Sequence, residues 1–346
     1  MYNFNISAPG KVLLYGNSQE RPKQAWVIAS LNIRTKLSFA LLPPRVVPNE
    51  YIQLDFSSIN LQMKIPLRTF LIYFFYKNFN RQCPARQIYK QVKKYVQMLS
   101  GCRGNYDPSD LRHRLSLEMF FFLLVLIAYD QGINITSTFI VKVSTKLPMG
   151  YGLGSSSSYA VCLAACFWRW SLLQKGIARF EFLNKELAKI AVYAGCCDEK
   201  IYNTLRPVDT SVIVRGGITV FANNATLKTY RRFTSIKILL VYSKINKNIN
   251  KDWIINFNKI QNLNLKSESI MNSIDNLSRT SIDVFEKMKN DTDNVSVELD
   301  TFPESYYDEL AELVRMNQGL LKVLNVPHGN VDLVCAIAQE HFYMGV

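Results

Sequence analysis

The stretch Thr138-Phe139-Ile140-Val141-Lys142-Val143, leading to Pro148-Met149-Gly150-Tyr151-Gly152-Leu153-Gly154-Ser155-Ser156-Ser157-Ser158, decides how this chain is read. Its opening is β-branched and aromatic, the composition of a strand. The run Tyr159–Leu173 that follows is rich in Ala, Leu and Cys and free of Gly and Pro, which predicts a helix. A strand, a glycine-rich turn and a helix in that order present backbone N–H groups and the positive end of a helix dipole to an anion. Gly150, Gly152 and Gly154 clear side chains from the path of close approach. The serine hydroxyls can bind phosphate oxygens or a divalent cation. No Lys-Ser/Thr follows the glycines and their spacing differs from the dinucleotide fingerprint, so neither of those phosphate motifs applies. A flexible Gly/Ser linker is the bland alternative, but linkers rarely join a β-branched strand to a strong helix.

Working outward, Asn5–Ala8, Lys11–Tyr15, Trp26–Ala29, Thr35–Leu42 and Tyr51–Phe56 read as strands separated by turns. Residues 70–98 and 115–129 carry apolar groups at helical spacing, as does a segment near Phe180–Tyr193. Val208–Val214 and Ile218–Phe221, joined through Arg215-Gly216-Gly217, read as a strand pair. The polar break Ala222-Asn223-Asn224-Ala225-Thr226 marks a candidate domain boundary. Beyond it a strand at Lys237–Tyr242 and helices near Ser267–Met288 and Ser305–Leu324 are expected. The chain is therefore expected to be α+β, with domains at 1–225 and 226–346.

Composition excludes several classes. With 48% hydrophobic and 20% charged residues, the chain is suited to a folded core rather than disorder. The apolar block Met119–Tyr129 is about half of the roughly 20 residues that cross a bilayer, so a buried helix is expected and no membrane span. Seven cysteines without paired metal spacing and only three histidines argue against zinc and for reduced thiols in a cytoplasmic setting. A good part of the net charge of +14 sits between Arg81 and Arg114, where eight Lys and Arg face Asp107 and Asp110. No zinc-finger, RNP or helix-turn-helix pattern accompanies it, so a solvated basic face is expected and no nucleic-acid partner.

At this point the loop resembles the central motif of the GHMP kinases. Ala8-Pro9-Gly10-Lys11-Val12-Leu13-Leu14-Tyr15-Gly16, with Ser30-Leu31-Asn32-Ile33-Arg34-Thr35 after it, and Val208-Asp209-Thr210-Ser211-Val212 resemble the mevalonate kinase branch. Weaker echoes are Ser273-Ile274-Asp275, Met316-Asn317-Gln318, His328 and Asp332. The resemblance implies a two-domain GHMP kinase fold: a ribosomal protein S5 domain 2-like N-terminal domain and a ferredoxin-like α/β-plait C-terminal domain, incomplete here. It implies ATP and Mg²⁺ as cofactors, mevalonate as the small-molecule substrate, and a homodimer as a further candidate.

It also implies site residues. Asp209 corresponds to the base that receives or orients the substrate hydroxyl, with Lys11 beside it. Gly150, Gly152, Leu153, Gly154, Ser155, Ser156 and Ser157 would hold ATP. Ser156 corresponds to the serine on Mg²⁺. Its acidic partner falls on Asp198, with Glu199 adjacent and equally placed by sequence. Lys11 and Asp209 would also hold substrate, together with Asn17 and Ser18, which stand where the family has Glu-His. Pro207 stands where the family has a glycine. The sequence ends at Val346, where the family continues into a Lys-Leu-Thr-Gly-Ala-Gly motif, which implies an unpaired sheet edge. The alternative reading is a kinase-like protein that binds nucleotide or a partner without turnover.

Overall fold

A computed structural model describes residues 2–16, 24–43, 50–76, 84–202, 208–222, 225–231, 236, 238–241, 266–294, 302–324 and 329–342. They fall into two compact units. The first comprises residues 1–10, 31–149 and 153–214, and the second residues 11–30, 150–152 and 215–346. Strands β1 (Asn3–Tyr15) and β2 (Trp26–Leu41) contribute residues to both.

In the first unit the strand order is β5 (Arg103–Gly104), β4 (Leu61–Pro66), β3 (Tyr51–Phe56), β6 (Phe139–Thr145), then the later half of β2. β6 runs antiparallel to β2, with Leu37 opposite Val143 and Leu41 opposite Phe139, and parallel to β3, with Leu54 opposite Val141. β3, β4 and β6 bury every second residue, which fixes the register because a one-residue slip would turn the apolar set outward. Over the sheet's inner side lie α2 (Ala85–Met98), α3 (Leu111–Gln131), α4 (Ser155–Gln174) and α5 (Asn184–Tyr202).

Helix α3 starts where Asp110 accepts the Arg112 N–H at 2.7 Å and stops at Gly132, whose φ of 69° a side chain rarely adopts. Met119 to Val125 are all buried, so this helix is apolar on every face and packs against α2, α4 and α5. Phe120 touches Phe56, Phe121 and Phe167 at 5.1–6.2 Å, tying sheet to helices. Truncating one such ring costs about 3–5 kcal/mol.

The second unit pairs Trp26–Ala29 of β2 with β7 (Ile218–Ala222), and β7 with β8 (Ala225–Tyr230). Its helices are α7 (Lys266–Asn294), α8 (Glu304–Val323) and α9 (Gly329–Phe342). Tyr15, Val27, Val220, Phe285, Met288 and Leu310 form its core, and the Tyr15 hydroxyl donates to the Leu310 carbonyl at 2.9 Å. At Gly217, φ is 71° and a Cβ would lie 2.0 Å from the Tyr230 carbonyl oxygen. Only glycine lets the chain enter β7 there.

Several sequence expectations are corrected. Val208–Val214 is not a strand but helix α6 (Val208–Arg215). Its valines suit a strand only where a neighbouring ladder is present, and tertiary context overrides that preference. β1 and β2 are each one long strand rather than two. The helical spacing of 70–98 is broken: α1 (Leu67–Leu71) runs into a π-type turn at Ile72–Tyr76, and α2 begins afresh after Pro84, which has no N–H to continue a ladder. Residues 238–241 of the expected strand at 237–242 carry no strand, and its two ends lie outside the described residues. The polar break at 222–226 falls at the β7–β8 turn inside the second unit, whereas the units part between Val214 and Arg215. β4, β5 and α9 carried no clear signal in the sequence.

Candidate active site

The loop between β6 and α4 has the backbone its glycines predict. Gly150, Gly152 and Gly154 take φ of 87°, 80° and 72°, alternating with residues of ordinary handedness. Gly154 caps α4 in the left-handed conformation without a side-chain bond. The N–H groups of Ser155, Ser156 and Ser157 therefore project along the axis from the first turn of a twenty-residue helix, the polarity that favours phosphate.

The start of the chain lies against this turn within the first unit. Ser158 Oγ donates to the Ala8 carbonyl at 2.9 Å, fully buried. A Cβ on Gly10 would lie 2.8 Å from the Leu153 carbonyl oxygen and 2.4 Å from Leu147 Cδ2. Two motifs about 140 residues apart are thus brought together through a backbone approach that tolerates no side chain.

The serines divide their roles. Ser157 and Asp198, each 5% exposed, are joined by a 2.6 Å bond from Ser157 Oγ to Asp198 Oδ2. The serine that meets the carboxylate is thus Ser157. Ser156 is half-buried. Glu199 is exposed and ion-pairs with Lys200 at 2.5 Å, so burial separates the two adjacent acids and favours Asp198 as the inward carboxylate. Oxygen donors alone, on a helix start and a buried acid, suit Mg²⁺. Among the described residues no cluster of three or more His, Cys, Asp or Glu offers another metal site.

Behind this pair, the Tyr89 hydroxyl donates to Glu118 Oε2 at 2.8 Å, and the Tyr202 hydroxyl donates to Met119 Sδ at 3.6 Å. Burial, then the carboxylates of Asp198 and Glu118, push the Tyr202 phenol up, and burial with the Glu118 bond does the same for Tyr89. Burial pushes the Cys162 thiol up to about 12 and the Cys197 thiol well above its ordinary range, so neither is a nucleophile. His113 is built into structure, its ring nitrogens engaging the Ile59 carbonyl and the Asp107 N–H.

Asp209 is the second residue of α6 and half-buried. Lys11 is half-buried on β1 and belongs to the second unit, as do Gly150 and Gly152. Asn17, Ser18, Pro207 and His328 lie outside the described residues. Asp275, one of the weaker echoes, has a structural role: it accepts the Ala25 N–H at 2.6 Å and pairs with Arg279. Tyr202 and Glu118 were missed in the sequence. Tyr202 lies four residues after Asp198 on one helix, and that spacing was the available signal.

In the first unit a glycine-serine turn opens a long helix beside a buried acid, an arrangement suited to a phosphate. Residues 121–217 match the N-terminal domain of the GHMP kinases. It is 25% identical to the mevalonate kinase of Mus musculus over 97% of this chain and 80% of that one. The structure of the Methanococcus jannaschii mevalonate kinase superposes with a TM-score of 0.61, at 15% identity, covering 99% of this chain and 86% of that one. That of the L. major mevalonate kinase in complex with R-mevalonate gives 0.56, at 11% identity, covering 97% and 80%. At those identities the two structures show a common fold.

Proposed function

We propose that this chain is an ATP- and Mg²⁺-dependent mevalonate kinase, transferring the γ-phosphoryl of ATP to the 5-hydroxyl of mevalonate. The observation that carries the reading is the first turn of α4, with its glycine approach and the buried Ser157–Asp198 pair beside it. The kinases similar to this chain along nearly its whole length support the choice of acceptor.

Phosphoryl transfer needs positioning, charge neutralisation and a place for the hydroxyl proton. The N–H groups of Ser155–Ser157 and the glycine turn hold phosphate oxygens. Ser156 and Asp198 are the residues that would hold Mg²⁺, which when bound offsets the charge of the transferred group. Asp209 takes the substrate proton as the new O–P bond forms and the bond to the β-phosphate oxygen breaks, releasing ADP. Lys11 is assigned the neighbouring positive charge, and Asn17 and Ser18 contact with the acceptor. The free cysteines among the described residues support a reducing, cytoplasmic setting. Among those residues no helix is long and apolar enough to cross a membrane.

Coupled ADP release on mevalonate tests this. Turnover at ordinary enzyme rates that disappears in Asp209→Ala is expected; turnover no higher than that variant's would overturn it.

A further inference from the structure

The first turn of α4 carries adjacent buried hydroxyls at Ser157 and Ser158, and each meets a different element of the first unit. Ser158 Oγ donates to the Ala8 carbonyl of β1 at 2.9 Å. Ser157 Oγ donates to Asp198 Oδ2 of α5 at 2.6 Å, with both residues 5% exposed. The two bonds differ in kind. One reaches a neutral backbone carbonyl and ties helix to strand. The other reaches the carboxylate assigned to the cation. An acid that holds a metal must keep its charge and its direction. Asp198 lies almost out of water, where an unsupported negative charge is costly. A donated hydrogen bond favours the ionised carboxylate and restrains its rotation about the Cβ–Cγ bond. Both effects are in place before a cation arrives, so less order has to be created on binding. Removing a hydrogen-bond partner of a metal-holding carboxylate typically costs about 10–100-fold in metal affinity.

We propose that Ser157 is a positioning residue for Mg²⁺-nucleotide binding, its hydroxyl holding the Asp198 carboxylate in one orientation beside the first turn of α4. The backbone N–H of Ser157 then serves the phosphate, and its side chain serves the acid that faces the metal. This inference rests on the phosphate-site reading above and deepens it.

The test is equilibrium binding of a fluorescent ATP analogue, measured with Mg²⁺ and with EDTA, for wild type, Ser157→Ala, Ser157→Cys, Ser158→Ala, Asp198→Asn and the Ser157→Ala/Asp198→Asn double variant. The ratio of the two affinities isolates what the cation contributes. Wild type should bind more tightly with Mg²⁺. Ser157→Ala should lower that ratio about tenfold and bind unchanged in EDTA, because the backbone N–H groups remain. Ser157→Cys, which restores volume with only a weak donor, should lower it in the same direction. Ser158→Ala removes a neighbouring buried bond and should leave the ratio at the wild-type value. In the Asp198→Asn background, Ser157→Ala should cost nothing further, because the charge that the hydroxyl positions is gone. Circular dichroism melts check that each variant folds. A ratio unchanged in Ser157→Ala, an equal fall in Ser158→Ala, or a full further loss in the double variant overturns the inference and leaves the site reading standing. If wild type binds no better with Mg²⁺ than with EDTA, the site reading falls and the inference with it.

Discussion

Replacing Ser157 with Ala removes one oxygen atom and, with it, the bond to Asp198. That bond is 2.6 Å long between two groups each 5% exposed, so water replaces it poorly. Hydrogen bonds to charged groups contribute about 1.5–3 kcal/mol, and the volume lost is too small to add a cavity cost. A loss of about 2 kcal/mol in a unit of this size lowers its melting transition by roughly 4–8 °C. The transition should be followed by scanning calorimetry without ligand. The loss should vanish in the Asp198→Ala background, since the hydroxyl then has no carboxylate to serve. A Ser157→Ala transition within 1 °C of wild type, or an equal loss without Asp198, would refute the assignment of Ser157 as the carboxylate's holder.

Gly10→Ala should raise the KM for ATP severalfold or more with a smaller effect on the KM for mevalonate, because the new methyl must displace the Leu153 carbonyl within the glycine turn; steady-state kinetics check the split. Asp110→Ala should cost about 1 kcal/mol at neutral pH by uncapping α3. Arg112 holds the Asp110 carboxyl below its usual range, at about 2. The ionised cap's contribution is therefore complete above about pH 4 and fades as pH falls towards 2. The melting difference between Asp110→Ala and wild type should accordingly narrow between pH 5 and pH 2.5.

The parts of this molecule that were legible in the sequence are those whose composition leaves one solution. Gly150, Gly152 and Gly154 between a β-branched strand and an alanine-rich helix admit little but a tight left-handed turn into the helix, and α3 is too apolar to be anything but buried. Asp209 was picked out by motif while its secondary structure was misread, because Val208, Val212 and Val214 favour a strand when judged alone. The pairing of Ser157 rather than Ser156 with Asp198 depends on the rotation of α4 at its first turn, which four consecutive serines do not encode. The Tyr202 hydroxyl meets Met119, 83 residues earlier in the chain, and such a meeting appears only once two helices are packed. The split of β1 and β2 between two units is likewise a property of the assembled sheet.

The all-round burial of α3 carries a cost during synthesis. Met119–Ala128 emerges before β6, α4 and α5, the elements that will cover it, have been made. At about 5–20 residues per second, roughly 4–15 s pass before Tyr202 is added. At the start of that interval the most apolar decapeptide of the protein has only β1–β5, α1 and α2 as shelter. Ribosome-associated chaperones should therefore engage the nascent chain most strongly in this window, and slowing translation between Gln131 and Tyr202 should reduce the yield of folded protein more than slowing it elsewhere.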